Sequence, residues 1–243
     1  LEPSVASSVH SRLRLPARCL NFDIGNACLG FLNGMQVAAM MIERGQIDYA
    51  LLVDAESSRQ VTESTIARLS SRSSTSQDLR DDFATLTLGS GAAAMLLCRD
   101  DFATTEHRFK GGVALTASDW NHLCRGTAER MITDAGQLLR AGVSLAKETF
   151  ALAGEVLGWR KHNLDELIMH QVGSIHMSTM LDTLDIDPML AHVTYNEYGN
   201  IGPAAIPFTL TKSLEEGRIQ RGDRVALMGI GSGLSCAMME VEW

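Results

Sequence analysis

The apolar residues between positions 21 and 53 change their spacing twice, and no other stretch of the chain constrains the fold as strongly. Residues 21–24 have the length and composition of a short strand, and the small residues 25–27 predict a tight turn. From residue 28 to residue 42, apolar side chains recur at alternating steps of four and three, which is typical of one face of a helix. Residues 47–53 have the composition of a second strand. This order predicts a βαβ unit with a parallel strand pair, and therefore an α/β protein.

The alternation of strand and helix patterns continues to the end of the chain. The longest helical pattern covers residues 135–157, whereas residues 56–80 are polar and predict loops with one short helix. Further strands are predicted at residues 85–97, 113–116, 166–170, 192–195, 225–228 and 237–241, and further helices at residues 174–184 and 203–216. The pattern favours an α/β class throughout.

Composition excludes several classes of function. The chain has 29 acidic residues against 21 Lys and Arg, a net charge of −8, whereas nucleic-acid binders carry a basic field. The longest uninterrupted apolar run, residues 92–98, is far too short for a membrane span. The five cysteines contain no C-x-x-C pair, which argues against a metal site or a disulfide frame and favours a reducing compartment. They are Cys19, Cys28, Cys98, Cys124 and Cys236.

Three polar side chains are candidates for chemistry. Cys28 lies where the predicted strand gives way to a helix, and the positive end of the helix dipole would lower the pKa of its thiol. A buried core cysteine is the other interpretation. His170 ends a predicted strand, where α/β proteins place binding groups, and Asn200 lies in a turn before a helix. Both positions also suit structural roles, as a core histidine and as a turn former or helix cap.

The glycine-rich loop at residues 229–233 (GIGSG) is a fourth candidate. A strand pattern follows it rather than a helix, so it fails the context test for a dinucleotide fingerprint. Its backbone N–H groups are better suited to holding a substrate oxygen. A thiol with imidazole and amide partners is consistent with two reaction classes, hydrolysis and acyl transfer from a thioester.

Four motifs in this order resemble the thiolase superfamily. They are residues 23–31 (DIGNACLGF), 170–171 (HQ), 198–203 (YGNIGP) and 229–234 (GIGSGL). The chain is most similar to ketosynthase III enzymes, and among them to the OleA group, the acyl-CoA condensing enzymes of bacterial olefin biosynthesis. The resemblance implies two pseudo-repeated βαβαβ halves in a layered α-β-α-β-α arrangement. Residues 1–110 would be the remainder of the N-terminal half with the nucleophile, and residues 111–243 the C-terminal half with His, Asn and the glycine loop.

The resemblance also assigns roles to individual residues. Cys28 corresponds to the nucleophile that takes the acyl group from CoA. His170 and Asn200 correspond to the pair that binds the thioester oxygen of the second substrate and stabilises its enolate. The N–H groups of Cys28 and Ser232 correspond to the oxyanion hole. The glycines expected to approach the substrate are Gly231 and Gly233.

The reaction implied is a non-decarboxylative Claisen condensation of two long-chain acyl-CoA substrates to a 2-alkyl-3-keto acid, with no cofactor and no metal. It requires a base for the α-proton. Glu2 corresponds to a glutamate that reaches the active site of the partner subunit. The alternatives are decarboxylative condensation with malonyl-ACP, a non-catalytic thiolase-fold subunit, and a hydrolase.

The resemblance further implies partners. Family members carry additional sequence before the position of Leu1, including the first strands of the N-terminal half. We therefore expect the chain to be a fragment, or a separate segment to complete the fold, since a sheet without its opening strands leaves apolar edges bare. A cytoplasmic homodimer is expected, together with contacts to downstream enzymes of the olefin pathway.

Overall fold

A computed structural model describes residues 2–71 and 73–243. The helices are α1 Val5–Leu13, α2 Gly30–Glu43, α3 Arg59–Leu69, α4 Ser76–Asp82, α5 Ala135–Val156, α6 Ser174–Leu184, α7 Tyr195–Tyr198 and α8 Ala205–Glu215. The strands are β1 Tyr49–Glu56, β2 Gly91–Cys98, β3 Arg108–Thr116, β4 Cys124–Gly126, β5 Met131–Thr133, β6 Glu166–Met169, β7 Arg224–Gly231 and β8 Ser235–Glu242.

The strands form one four-stranded sheet and two antiparallel pairs. In the larger sheet the order is β3-β8-β7-β6, with β6 parallel to β7 and the other neighbours antiparallel. β1 pairs with β2, and β4 pairs with β5 as a hairpin. β7 and β8 are joined by a turn at residues 232–234, so the glycine-rich segment is mostly strand.

Side-chain alternation in the four-stranded sheet gives it two apolar faces. One face packs with residues of α5 and α6, and its strand side chains include Leu167, Met228 and Met238. The other face packs with residues of α2 and α8, and its strand side chains include Ile168 and Leu227. Parallel and mixed sheets covered on both faces are typical of α/β proteins.

Helix α2 is enclosed between β1 and β7. A Cβ added at Gly34 would lie 2.7 Å from Leu52 Cδ2 on β1. A Cβ added at Gly229 would lie 2.5 Å from Leu29 Cδ2 and 2.7 Å from Leu32 Cδ1. These glycines permit the close approach, and they fix the start of α2 against the end of β7.

The parallel pair predicted for residues 21–53 is wrong for the described chain. Residues 21–24 have no strand partner, and the only bridge nearby joins Asn26 and Cys28. β1 pairs antiparallel with β2 instead. An apolar pattern of strand length forms a strand only where an edge is available, and that depends on residues far away in the sequence.

The strand predicted at residues 192–195 is also wrong. A single bridge joins Ala191 to Leu167, after which the chain turns into α7. The turn is held by Gln171, whose Oε1 atom accepts from the backbone N–H groups of Thr194 and Tyr195 at 3.0 and 3.2 Å. The buried amide thus provides these N–H groups with the partner that a neighbouring strand would otherwise supply.

Residues 56–80 hold more order than their polar composition predicts. They contain all of α3 and most of α4. The β4–β5 hairpin, which packs near them, has no counterpart in the predicted elements. Asp82 explains how these elements stay together, because its buried carboxylate pairs with Arg68 at 2.6 Å and with Arg130 at 3.2 Å.

The strand predicted at residues 85–97 begins only at Gly91, after a 3-10 turn at Phe83–Thr87. The helices predicted at residues 135–157 and 174–184 are confirmed.

Candidate active site

Cys28 lies in a tight turn just before α2. Leu29 is the N-cap residue, so the thiol precedes the helix instead of opening it. Ala27 has a φ of +44°, a left-handed conformation that is uncommon for alanine. The turn is closed by Leu29 N donating to Asn26 O at 2.9 Å and Gly30 N donating to Ala27 O at 3.1 Å. Backbone strain of this kind is often found where a reactive side chain must be presented.

The end of β7 lies against this turn. A Cβ added at Gly231 would lie 3.5 Å from the backbone N of Cys28 and 3.4 Å from Asn26 O. Ser232 follows directly in the β7–β8 turn, and Gly233 occupies the same turn with a φ of +136°. The backbone N of Cys28 and the turn that carries Ser232 are therefore brought together, as the expected oxyanion hole requires.

His170 directly follows β6, at the same end of the sheet. Its backbone N–H donates to Met228 O at 2.9 Å, which continues the parallel pairing with β7. The residue is 3% exposed, and its Nδ1 atom has no hydrogen-bond partner in the part of the chain that the structure describes. Burial, with a smaller effect of His176, lowers the pKa of His170 to about 3. The imidazole is therefore neutral at physiological pH, so that one ring nitrogen can donate a hydrogen bond and the other can accept one.

Asn200 is held in a turn between two glycines of positive φ. Gly199 has a φ of +67° and Gly202 a φ of +56°. The backbone N–H of Asn200 donates to Thr87 O, and its carbonyl accepts from Gly89 N, both at 2.9 Å. Its side-chain Oδ1 accepts from Gly202 N at 3.0 Å. That bond leaves the side-chain NH₂ as the donor group of the amide.

Contacts around the turn bring Asn200 toward Cys28. Pro203 Cβ would lie 3.8 Å from a Cβ added at Gly30, the first residue of α2. On the other side, Gln171 directly follows His170, and its side chain accepts a hydrogen bond from the backbone N–H of Thr194 at the start of α7. Helix α7 leads into the Asn200 turn. The turn before α2, the end of β6 and the Asn200 turn thus converge at one end of the four-stranded sheet, where binding groups collect in α/β folds.

The surroundings of Cys28 change the expected behaviour of its thiol. Its pKa is raised to about 12, mainly by burial and to a smaller extent by Cys124, Glu56 and Asp54. The direction is opposite to the one predicted from the helix dipole, because desolvation of the thiolate outweighs the dipole here. The directions of the two pKa shifts leave both the Cys28 thiol and the His170 imidazole neutral in the resting protein. A role as nucleophile would therefore require the thiolate to form together with attack on a substrate.

The raised pKa predicts a distinctive pH profile for alkylation of Cys28. Only the thiolate reacts with iodoacetamide, so the rate should rise about tenfold per pH unit up to at least pH 10 without a plateau. Mass mapping of the Cys28 peptide against pH measures this, with N-acetylcysteine as the control that levels off above its pKa of about 8.5. A plateau for Cys28 below pH 9 would show that the thiol is not desolvated.

Glu2 is placed apart from these groups. It is exposed and lies before α1, whose first N–H groups, those of Val5 and Ala6, donate to Asp23 at 2.9 and 2.7 Å. Among the described residues, no hydrogen bond or ion pair joins Glu2 to Cys28. Sequence reasoning did not single out Glu56, Asp54 or Cys124, which lie near the thiol. The position of two acidic residues at the end of a predicted strand was the available signal.

Within residues 2–71 and 73–243, no helix combines the length and apolar character needed to cross a membrane. The same residues contain no group of three or more His, Cys, Asp or Glu side chains placed to hold a metal ion.

Comparison with known proteins identifies relatives along the whole chain. The family described as 3-oxoacyl-[acyl-carrier-protein] synthase III matches residues 22–111, and its C-terminal counterpart matches residues 155–243. The chain is 48% identical to an acyl-CoA:acyl-CoA alkyltransferase of Xanthomonas campestris, covering all of this chain and 72% of that protein. It is 34% identical to the protein of the same name from Shewanella oneidensis, with the same coverage. A β-ketoacyl-[acyl-carrier-protein] synthase III of Vibrio vulnificus is 29% identical and is covered to 66%.

Solved structures give the same result for the fold. A crystal structure of a histidine variant of Xanthomonas campestris OleA superimposes with a TM-score of 0.98 over all of this chain and 72% of that one, at 48% identity. A cysteine-to-serine variant of that protein, with bound lauric acid and lauroyl-CoA, has the same TM-score and coverage. The thiolase-like α/β fold expected from the motifs is confirmed. The chain belongs to the 3-oxoacyl-[acyl-carrier-protein] synthase III family of the thiolase superfamily and is a condensing acyltransferase.

Proposed function

We propose that the chain catalyses the non-decarboxylative Claisen condensation of two long-chain acyl-CoA thioesters to a 2-alkyl-3-keto acid. The observation that carries the proposal is whole-chain similarity to two acyl-CoA:acyl-CoA alkyltransferases. The intact Cys28, His170 and Asn200 set supports a catalytic subunit over a non-catalytic one. The bound lauroyl-CoA in a structure of the Xanthomonas protein supports a long acyl chain.

The first step is acylation of Cys28. The sulfur attacks the thioester carbonyl, and the backbone N–H groups of Cys28 and Ser232 bind the oxyanion that forms. The C–S bond to CoA then breaks, and the thiol proton leaves with CoA as its free thiol. The approach of Gly231 to Cys28 N supports this geometry, because a side chain at position 231 would occupy the space beside the donor.

The second step forms the carbon–carbon bond. A base removes the α-proton of the second acyl-CoA, and His170 and Asn200 donate to the thioester oxygen on which the enolate charge develops. The low pKa of His170 supports this role, because a neutral imidazole binds an enolate without protonating it fully. The α-carbon attacks the acyl-Cys28 carbonyl and releases the cysteine. Hydrolysis of the remaining thioester by water gives the acid and the second CoA.

Glu2 is our proposed base, acting from the partner subunit of a homodimer. Variants of the Xanthomonas protein were crystallised with substitutions at a glutamate, a cysteine and a histidine. Their intervals in that sequence equal those between Glu2, Cys28 and His170 here, which supports an active-site assignment for all three. The exposed position of Glu2 supports a contribution to a second subunit. We further propose a cytoplasmic location and contacts with downstream enzymes of olefin formation.

Decarboxylative condensation with malonyl-ACP is the second candidate, since relatives named β-ketoacyl-[acyl-carrier-protein] synthase III also match the whole chain. Incubation with myristoyl-CoA alone separates the two. We expect a 2-alkyl-3-keto acid by mass spectrometry and two CoA thiols released per product. Product and CO₂ that appear only when malonyl-ACP is added would favour the second candidate. Formation of myristic acid as the only product would indicate a hydrolase. Absence of turnover by the folded protein would indicate a non-catalytic subunit.

A further inference from the structure

The carboxyl end of β1 directs two acidic side chains toward α2. Side chains alternate along β1, so Leu52, Asp54 and Glu56 share one face of the strand. The contact between Leu52 and Gly34 identifies this as the face that packs on α2. Asp54 and Glu56 continue along that face beyond the contact.

Contacts on the other side of Glu56 fix its place. A Cβ added at Gly202 would lie 3.3 Å from both Cγ and Cδ of Glu56, and 3.5 Å from its Oε1 atom. The next residue, Pro203, packs near Gly30 at the start of α2. Glu56 therefore lies beside the junction of the two segments that carry Asn200 and Cys28.

The surroundings leave these carboxyl groups in an unusual state. The Oδ2 atom of Asp54 is buried and has no hydrogen-bond partner among the described residues. Burial raises the pKa of both groups, and the neighbouring Asp54 raises that of Glu56 further. After burial, the Cys124 thiol on β4 and the Glu56 and Asp54 carboxyl groups on β1 also raise the pKa of Cys28. All of them oppose a negative charge on its sulfur.

We propose that Glu56 is a positioning residue of the condensing site, which braces the Gly202 corner of the Asn200 turn and places its carboxyl group beside the turn that carries Cys28. Its place in the reaction rests on the proposed function, but its effect on the thiol concerns the free enzyme. The absence of a side chain at Gly202 permits the brace, because a Cβ there would press on the Glu56 side chain.

The test is alkylation of Cys28 by iodoacetamide between pH 8 and pH 10, well above the ordinary pKa of a carboxyl group. Glu56→Gln keeps the shape of the side chain and removes its charge. We expect Cys28 to react about threefold to tenfold faster at each pH, because removal of a nearby anion favours the thiolate. Peptide mapping separates Cys28 from the four other cysteines. Glu155→Gln, an exposed residue on α5, is the matched control and should react at the wild-type rate.

Glu56→Asp separates the brace from the charge. It keeps the anion but withdraws the side chain from Gly202, so alkylation should stay within about twofold of the wild-type rate. Condensation of a preformed acyl-enzyme should slow, while acylation by myristoyl-CoA should not. Alkylation of Cys28 at the wild-type rate in Glu56→Gln would overturn the proposal. If Glu56→Gln fails to fold by circular dichroism, fast alkylation of Glu56→Asp would overturn it. Because alkylation requires no acyl-CoA, its result does not depend on whether the protein carries out the proposed condensation.

Discussion

We expect Cys28→Ala protein to take up no acyl group when it is incubated with myristoyl-CoA, and its condensation rate to fall at least about a thousandfold. The reason is geometric. The strained turn at Ala27 and the end of β7 at Gly231 surround the backbone of residue 28, so an attacking atom elsewhere does not meet the same N–H groups. Intact-protein mass measures the result, since wild-type protein should gain the mass of one myristoyl group.

Cys124→Ala is the informative control for this experiment. Cys124 also carries a thiol near the site, but it lies on β4, where its sulfur accepts from Thr133 Oγ1 at 3.5 Å. This variant should acylate like wild type. An adduct that persists in Cys28→Ala and disappears in Cys124→Ala would identify Cys124 as the nucleophile and overturn the mechanism.

Gly89→Ala should disable the second half of the reaction and destabilise the fold. An alanine Cβ at position 89 would lie 1.7 Å from the carbonyl oxygen of Tyr198, a backbone atom that cannot move away by changing a rotamer. Gly89 N also donates to Asn200 O, so the shift is transmitted to the turn that holds Asn200. We expect a loss of about 3 kcal/mol in the free energy of unfolding. Condensation should fall about a hundredfold, as it should in Asn200→Ala.

Denaturant unfolding measures the first effect, and a two-stage assay measures the second. Acyl-enzyme formation should survive in the folded variant because Cys28 and Gly231 are not displaced. Gly25→Ala is the matched control: no atom lies within 4 Å of its added Cβ, and its φ is not positive. Gly89→Ala with wild-type stability and condensation would show that the Asn200 turn is not held by this contact.

Elements with a local cause were predictable from the sequence. Helix Ser174–Leu184 was placed correctly because its buried side chains, such as Met177 and Leu181, recur at helical spacing. Elements that depend on a distant partner were not. Residues 21–24 have a strand pattern but no pairing edge, and the β4–β5 hairpin is anchored by Asp82, about fifty positions before it ends.

The site divides in the same way. The positions of Cys28, His170 and Asn200 at element ends followed from motifs, and the structure brings their segments together. The direction of the Cys28 pKa did not follow, because a dipole is a local property whereas desolvation and the charge of Glu56 come from the folded surroundings. The roles of these residues, and that of Glu2, stay predictions until the experiments above are done.

The close approach of β7 to α2 has a consequence for how such an enzyme can diverge. Leu29 and Leu32 occupy the volume that any side chain at position 229 would need, and both are almost completely buried. A side chain at position 229 therefore requires both leucines to move or to be shortened, since close-packed interiors do not absorb added volume. We therefore expect a side chain at position 229 to be tolerated best together with smaller residues at positions 29 and 32, so that these three positions vary as one unit of packing behind Cys28.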